Sequence, residues 1–115
     1  MESFNNRLPR SLSEDIGHDR ASCSLALTEE DPCFAGHFPG LPVLAGVIQV
    51  DWALQLAERL GFDPVQFSDI PRVKFKNIAR PPLTLDITVE RKSAVSFRFT
   101  VSSEQGLHSE GSFNQ

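Results

Sequence analysis

Val47, Ile48, Val50, Trp52, Ala53, Leu54, Leu56, Ala57 and Leu60 crowd a single short segment that starts at Gly46 and stops before Gly61. At 3.6 residues per turn they occupy nearly every face of a helix, where a surface helix shows a stripe. The segment therefore reads as a helix surrounded by other structure, closed by Gly61 at the C′ position with Glu58 and Arg59 in its last turn. A chain of 115 residues has room for one core and one domain, spanning residues 1–115, and no room for a separate cofactor domain.

The flanking segments supply what can wrap such a helix. Ala21, Cys23, Leu25 and Leu27 alternate with Ser22, Ser24, Ala26 and Thr28, the two-residue period of a strand with one buried face. After the helix, Val73 and Phe75 alternate with Arg72, Lys74 and Lys76, and Leu83, Leu85, Ile87 and Val89 alternate with Thr84, Asp86, Thr88 and Glu90. Val95, Phe97, Phe99 and Val101 form a further strand after an Arg91-Lys92-Ser93 turn, and a weaker one runs from Leu107 to Phe113. Residues 1–20 show no such period and read as an irregular arm or short helix. The class is α+β, a curled antiparallel sheet wrapped around one long central helix.

Composition narrows the chemistry. Apolar residues make up 40%, and the 7 Gly bring the figure to about 46%, inside the usual range for a folded chain. A net charge of −4 argues against nucleic acid as the main partner. Cys23 and Cys33 form neither a CxxC pair nor a zinc set, so no metal and no disulfide framework is expected. Both read as small buried hydrophobes, and His18 and His108 as surface residues. The N-terminal stretch is neither a signal peptide nor a membrane span, which makes the cytoplasm the expected compartment. With no Tyr in the chain, catalysis has to come from His, carboxylates, Cys, Ser or the backbone.

Such groups converge in one stretch. His37 stands in a loop stiffened by Gly36, Pro39, Gly40 and Pro42, and Gly46 places a backbone N–H at a helix start. Asp51 lies within the apolar helix, where a carboxylate is costly unless it is paired, hydrogen-bonded or protonated. Gln55, four residues on, shares its face. Taken singly, His37 is an ordinary loop histidine and Asp51 an ordinary helix-start charge. Together they supply a base, an oxyanion donor, an acid and an orienting group.

The stretch GHFPGLPVLAGVIQVDWALQ resembles the signature of the hotdog-fold (3R)-hydroxyacyl-acyl-carrier-protein dehydratases of the FabA/FabZ type. The later KFKNIARPPLTLDITVE is similar to that family's strand and Pro-containing turn. The resemblance implies that His37 removes the C2 proton of a 3-hydroxyacyl thioester and that Asp51 gives a proton to the departing C3 hydroxyl. It implies that the Gly46 N–H binds the thioester carbonyl, that Val43 offers a carbonyl to fix the histidine tautomer, and that Gln55 orients the carboxylate. In the family the histidine and the carboxylate of one site come from different subunits, which implies a homodimer with an acyl tunnel along the interface. Phe38, Pro42 and Trp52 are the tunnel residues expected here. No cofactor is implied.

Two departures stand out. Ala45 replaces the usual Pro before Gly46, and Asp51 belongs to the branch that includes dehydratase-isomerases, the dehydratase-only branch having Glu. The Val50-Asp51-Trp52 run resembles the ApeI-like branch, which serves polyene biosynthesis. Charge adds a partner: seven Lys and Arg in residues 72–98 against two acidic residues make +5 there and −9 elsewhere. Such a basic rim suits an acidic acyl carrier protein bearing a phosphopantetheine arm, with Arg80, Lys74 and Lys76 as docking residues, although a solvated sheet face looks the same. The rival readings are an acyl thioesterase or enoyl-CoA hydratase on the same fold, and a non-catalytic acyl-binding hotdog subunit. An expensive buried acid speaks against the last.

Overall fold

The computed structural model describes residues 8, 9, 11–34, 42–63 and 72–114. Strands β1 (Ser13–Ile16) and β2 (Arg20–Leu27) lead through a 3-10 turn at Pro32–Phe34 to helix α1 (Gly46–Glu58). Strands β3 (Arg72–Phe75), β4 (Leu83–Arg91), β5 (Ser96–Ser103) and β6 (Gly106–Asn114) follow. All six pair antiparallel in one sheet of order β1-β2-β4-β5-β6-β3. A six-stranded antiparallel sheet with one long helix packed across it is the hotdog fold.

The two-residue period of the strands becomes rows of apolar side chains on one face. Cys23 pairs with Ile87 and Ile87 with Val101, while Ala21 pairs with Val89 and Val89 with Phe99. Phe97, Phe99 and Phe113 extend the layer, and Phe62, just past the helix, meets Phe97 and Phe113 edge-on at 5.2 and 5.0 Å. The helix lays Ile48, Gln49, Trp52, Ala53, Leu56 and Ala57 on β4, β5 and β2. Gly61, at a φ of +98° that favours glycine, ends the helical stretch where the C′ signal placed it. The Arg91 guanidinium donates to the Leu60 carbonyl and lies over the Phe97 ring, tying the helix end to β4.

Four expectations are corrected. Residues 13–16 are a strand, β1, all of whose side chains are exposed. It is held by backbone pairing to β2 and by an ion pair from Glu14 to Arg59 at 3.1 Å, and has no buried face for a sequence period to reveal. Among the described residues the helix is covered on one side: Val47 is 72% exposed, and Val50, Asp51 and Leu54 are half-buried. On β3 the expected inner face is open at Phe75, which is 58% exposed beside the helix start. His108 is 1% exposed, not on the surface. A bulge explains it, because Val101 pairs with Ser109 while Ser102 pairs with Leu107, leaving His108 as the extra residue of β6. The bulge turns two consecutive side chains, His108 and Ser109, inward.

Candidate active site

The chain enters α1 in an extended conformation, with Ala45 at φ −63° and ψ 142°, and Ala45 has no side-chain oxygen with which to cap the helix. The Ile48 and Gln49 N–H groups both donate to the Ala45 carbonyl, at 3.1 and 3.2 Å. The N–H groups of Gly46 and Val47 precede any intrahelical acceptor and point out at the positive end of the helix dipole. A pocket of about 820 Å³ opens at this point. Val43, Gly46, Val47 and Val50 form one wall and Val73, Phe75, Lys76 and Ile78 the other, with Gln49 and His108 also lining it.

Gly46 is required here by close approach. A Cβ on it would stand 2.5 Å from the nearest atom of the Phe75 ring. The missing methyl is what lets the ring lie against the helix start, where Gly46 itself lines the pocket.

Asp51 stands on the uncovered side of the helix, one turn beyond Val47. Burial pushes its carboxyl up from the ordinary value of 3.8, opposed by a hydrogen bond from the Gln55 amide at 3.3 Å. The Leu8 N–H donates to Gln55 Oε1 at 2.8 Å, which turns the amide NH₂ toward the carboxylate. A half-buried carboxyl that keeps its proton longer than usual is suited to general-acid work.

The family profile described as "ApeI-like: ApeI dehydratase" matches residues 13–112, nearly the whole chain. The chain belongs to the ApeI-like dehydratase family. Among its relatives, the 3-hydroxyacyl-[acyl-carrier-protein] dehydratase FabZ of Erythrobacter litoralis is 32% identical over 117 residues, covering 90% of this chain and 77% of that enzyme. The FabZ of Novosphingobium aromaticivorans is 31% identical over 103 residues, 78% of this chain and 65% of the relative. The dehydratase heterocomplex ApeI:P from Xenorhabdus doucetiae superposes with a TM-score of 0.78 at 29% identity, over 92% of this chain and 96% of that one. A Streptococcus mutans protein bound to acetyl CoA, at 10% identity and a TM-score of 0.67, shares the fold alone.

The residues expected to form the site divide into three groups. His37 and Phe38 lie outside the described residues. Val43 and Gly46 both line the pocket, whereas Asp51, Gln55 and Pro42 do not. Trp52 is 1% exposed in the core between helix and sheet, away from the pocket lining. The three basic residues separate. Lys76 is at the pocket, while Lys74 lines a second hollow of about 500 Å³ with Arg72, Arg98 and Glu110. Arg80 is exposed, its backbone N–H and carbonyl both held by the Gln105 amide at 3.1 and 2.8 Å. Burial pushes the Cys23 and Cys33 thiols up to about 11, so neither is an activated nucleophile.

Sequence reasoning missed a buried polar group beside the pocket. Ser109 Oγ donates to Gln49 Oε1 at 2.7 Å, and Gln49 Nε2 donates to the Leu44 carbonyl at 3.2 Å. His108 Nδ1 is 2.9 Å from the Asn77 carbonyl and its Nε2 2.7 Å from Ser103 Oγ. A carbonyl only accepts, so Nδ1 carries the proton and Nε2 accepts from the serine hydroxyl. The signal that could have found Gln49 is its position on the buried stripe with Trp52, Ala53 and Leu56, where an amide needs partners. Among the described residues no helix is long and apolar enough to cross a membrane.

Proposed function

We propose that this chain eliminates water from (3R)-hydroxyacyl thioesters on acyl carrier protein, giving the trans-2-enoyl thioester. The observation that carries the reading is the uncapped start of α1 facing an apolar pocket, with the hydrogen-bonded Asp51–Gln55 pair, whose carboxyl burial pushes up, on the following turns. The thioester carbonyl accepts from the Gly46 N–H as enolate charge develops. His37 takes the C2 proton, and the C3–O bond breaks as Asp51 delivers a proton, so that the hydroxyl leaves as water. Proton return from His37 to Asp51 resets the site. The Val43 carbonyl holds the histidine tautomer, and Phe38 and Pro42 border the acyl chain.

The same reading makes the working unit a homodimer, each site taking His37 from one chain and Asp51 from the other. The open edge of β3 and the exposed apolar side chains of Val47, Phe75 and Ile78 support it, since a second copy would cover both. Lys76 at the pocket, with Lys74 and Arg80, gives an acidic carrier protein a basic approach. Incubation of the purified chain with 3-hydroxyacyl-acyl carrier protein, followed by mass, tests the proposal. Loss of one water is expected from the parent and not from His37→Ala or Asp51→Asn. No turnover across chain lengths, or equal turnover by the variants, overturns it.

A further inference from the structure

Gln49 is 3% exposed on a helix face that otherwise buries hydrocarbon, and both ends of its amide are occupied. A Met of similar volume would fill the same space without an amide to desolvate, and replacing a buried hydrogen-bonding group together with its partner by apolar groups is close to neutral. Gln49 is therefore an expensive filler, and what it adds is direction. Its amide reaches back past the helix start to the carbonyl of Leu44, while the N–H of Leu44 donates to the Ala79 carbonyl at 2.9 Å. Leu44 is thus gripped from both sides, by the helix and by the segment leading into β4. It sits next to Val43 and two residues before Gly46, in a helix entry that no side chain caps.

We propose that Gln49, seated by Ser109, is a positioning residue that aims the Gly46 N–H and the Val43 carbonyl at the reacting groups. The β6 bulge is part of the device, since it accommodates the extra residue beside Ser109 while Ser109 meets the Gln49 amide. This inference rests on the proposed role of Gly46. A donor misplaced by about an ångström can cost on the order of a hundredfold in rate, so a brace of this kind shows in kcat before it shows in binding.

The test compares the parent with Gln49→Met and Ser109→Ala in two assays. One is turnover of 3-hydroxyacyl-acyl carrier protein. The other is the infrared carbonyl stretch of a bound, isotope-labelled saturated acyl-pantetheine thioester, which cannot be dehydrated. Gln49→Met is expected to lower kcat at least about tenfold with KM little changed, and to return the carbonyl stretch toward its solution value. Ser109→Ala moves both in the same direction by less, and adds nothing in the Gln49→Met background. A parent that shifts the carbonyl, with a Gln49→Met variant that shifts it equally and turns over at the parental kcat, overturns the inference alone. A parent that leaves the carbonyl unshifted overturns the role of Gly46 as well. Should Gln49→Met fail to fold, Ser109→Ala decides, and parental values in both assays refute the brace.

Discussion

Gly46→Ala separates the chemistry of the helix start from the stability of the fold. The added methyl would meet Cε1, Cζ and Cδ1 of Phe75 at 2.5, 2.8 and 2.9 Å, all inside van der Waals contact. The ring is 58% exposed, so it can swing outward, at an off-rotamer cost of about 0.5–1.5 kcal/mol. Against this stands the gain from replacing glycine in a helix with φ below zero, roughly 0.4–1 kcal/mol through the unfolded chain. The two nearly cancel, and stability should change by no more than about 1 kcal/mol, a few degrees in Tm. Activity is another matter, because the proposed mechanism uses the Gly46 N–H as oxyanion donor, and the added methyl and the shifted ring would crowd the pocket that Gly46 lines. Loss of one oxyanion donor costs about 10²–10³ in kcat. Turnover assays beside thermal unfolding should therefore show a variant that is folded and at least about a hundredfold slower. Adding Phe75→Ala relieves the clash and should recover part of the lost rate. A Gly46→Ala chain of parental activity, with the parental Tm, would refute the reasoning.

Three further outcomes follow from the same geometry. Asp51 holds its proton longer folded than unfolded, so its ionisation costs stability: the penalty is absent below the ordinary value of 3.8, grows as pH rises above it and is complete only once pH has passed the raised folded value. Asp51→Asn should thus unfold at higher urea than the parent above the raised value, with the gain vanishing in acid, while turnover falls about 10²–10⁴-fold. Trp52→Ala, at a site 1% exposed in the core, should cost about 3–5 kcal/mol in chemical denaturation whatever the acyl chain offered. Lys76→Glu should raise KM for the acyl carrier protein substrate, most at low salt, and leave KM for a short acyl-pantetheine thioester unchanged.

The sheet was legible wherever a strand buries one face. The alternation in β2, β4 and β5 marked the strands that form the centre of the hotdog, and Gly61 marked the end of the helix. β1 was illegible because Ser13, Glu14, Asp15 and Ile16 are all exposed, held by backbone pairing to β2 and by the Glu14–Arg59 ion pair with no buried face. Phe75 misled for a different reason. Its alternation with Lys74 and Lys76 is real, but the surface it faces is the helix start and an open pocket, not a core. The all-round apolar helix was likewise read as enclosed, whereas one chain's sheet covers one side of it. Asp51, Gln55 and Gly46 stood out in the sequence because a long motif holds them together. Gln49 lies in that same motif, yet its partners Ser109 and Leu44 are 60 residues after it and 5 before. His108 depends on a bulge, and a one-residue register shift leaves no mark in an alternation as weak as that of β6.

Mixing two inactive variants tests the central claim most directly. If His37 of one chain and Asp51 of its partner make a single site, His37→Ala and Asp51→Asn homodimers are each inactive. Co-refolding them gives mixed dimers with one intact site of two, so activity should return to on the order of a quarter of the parent's at equal protein. A mixture as inactive as its components, with mixed dimers present by mass, would contradict a site shared in this way between the chains.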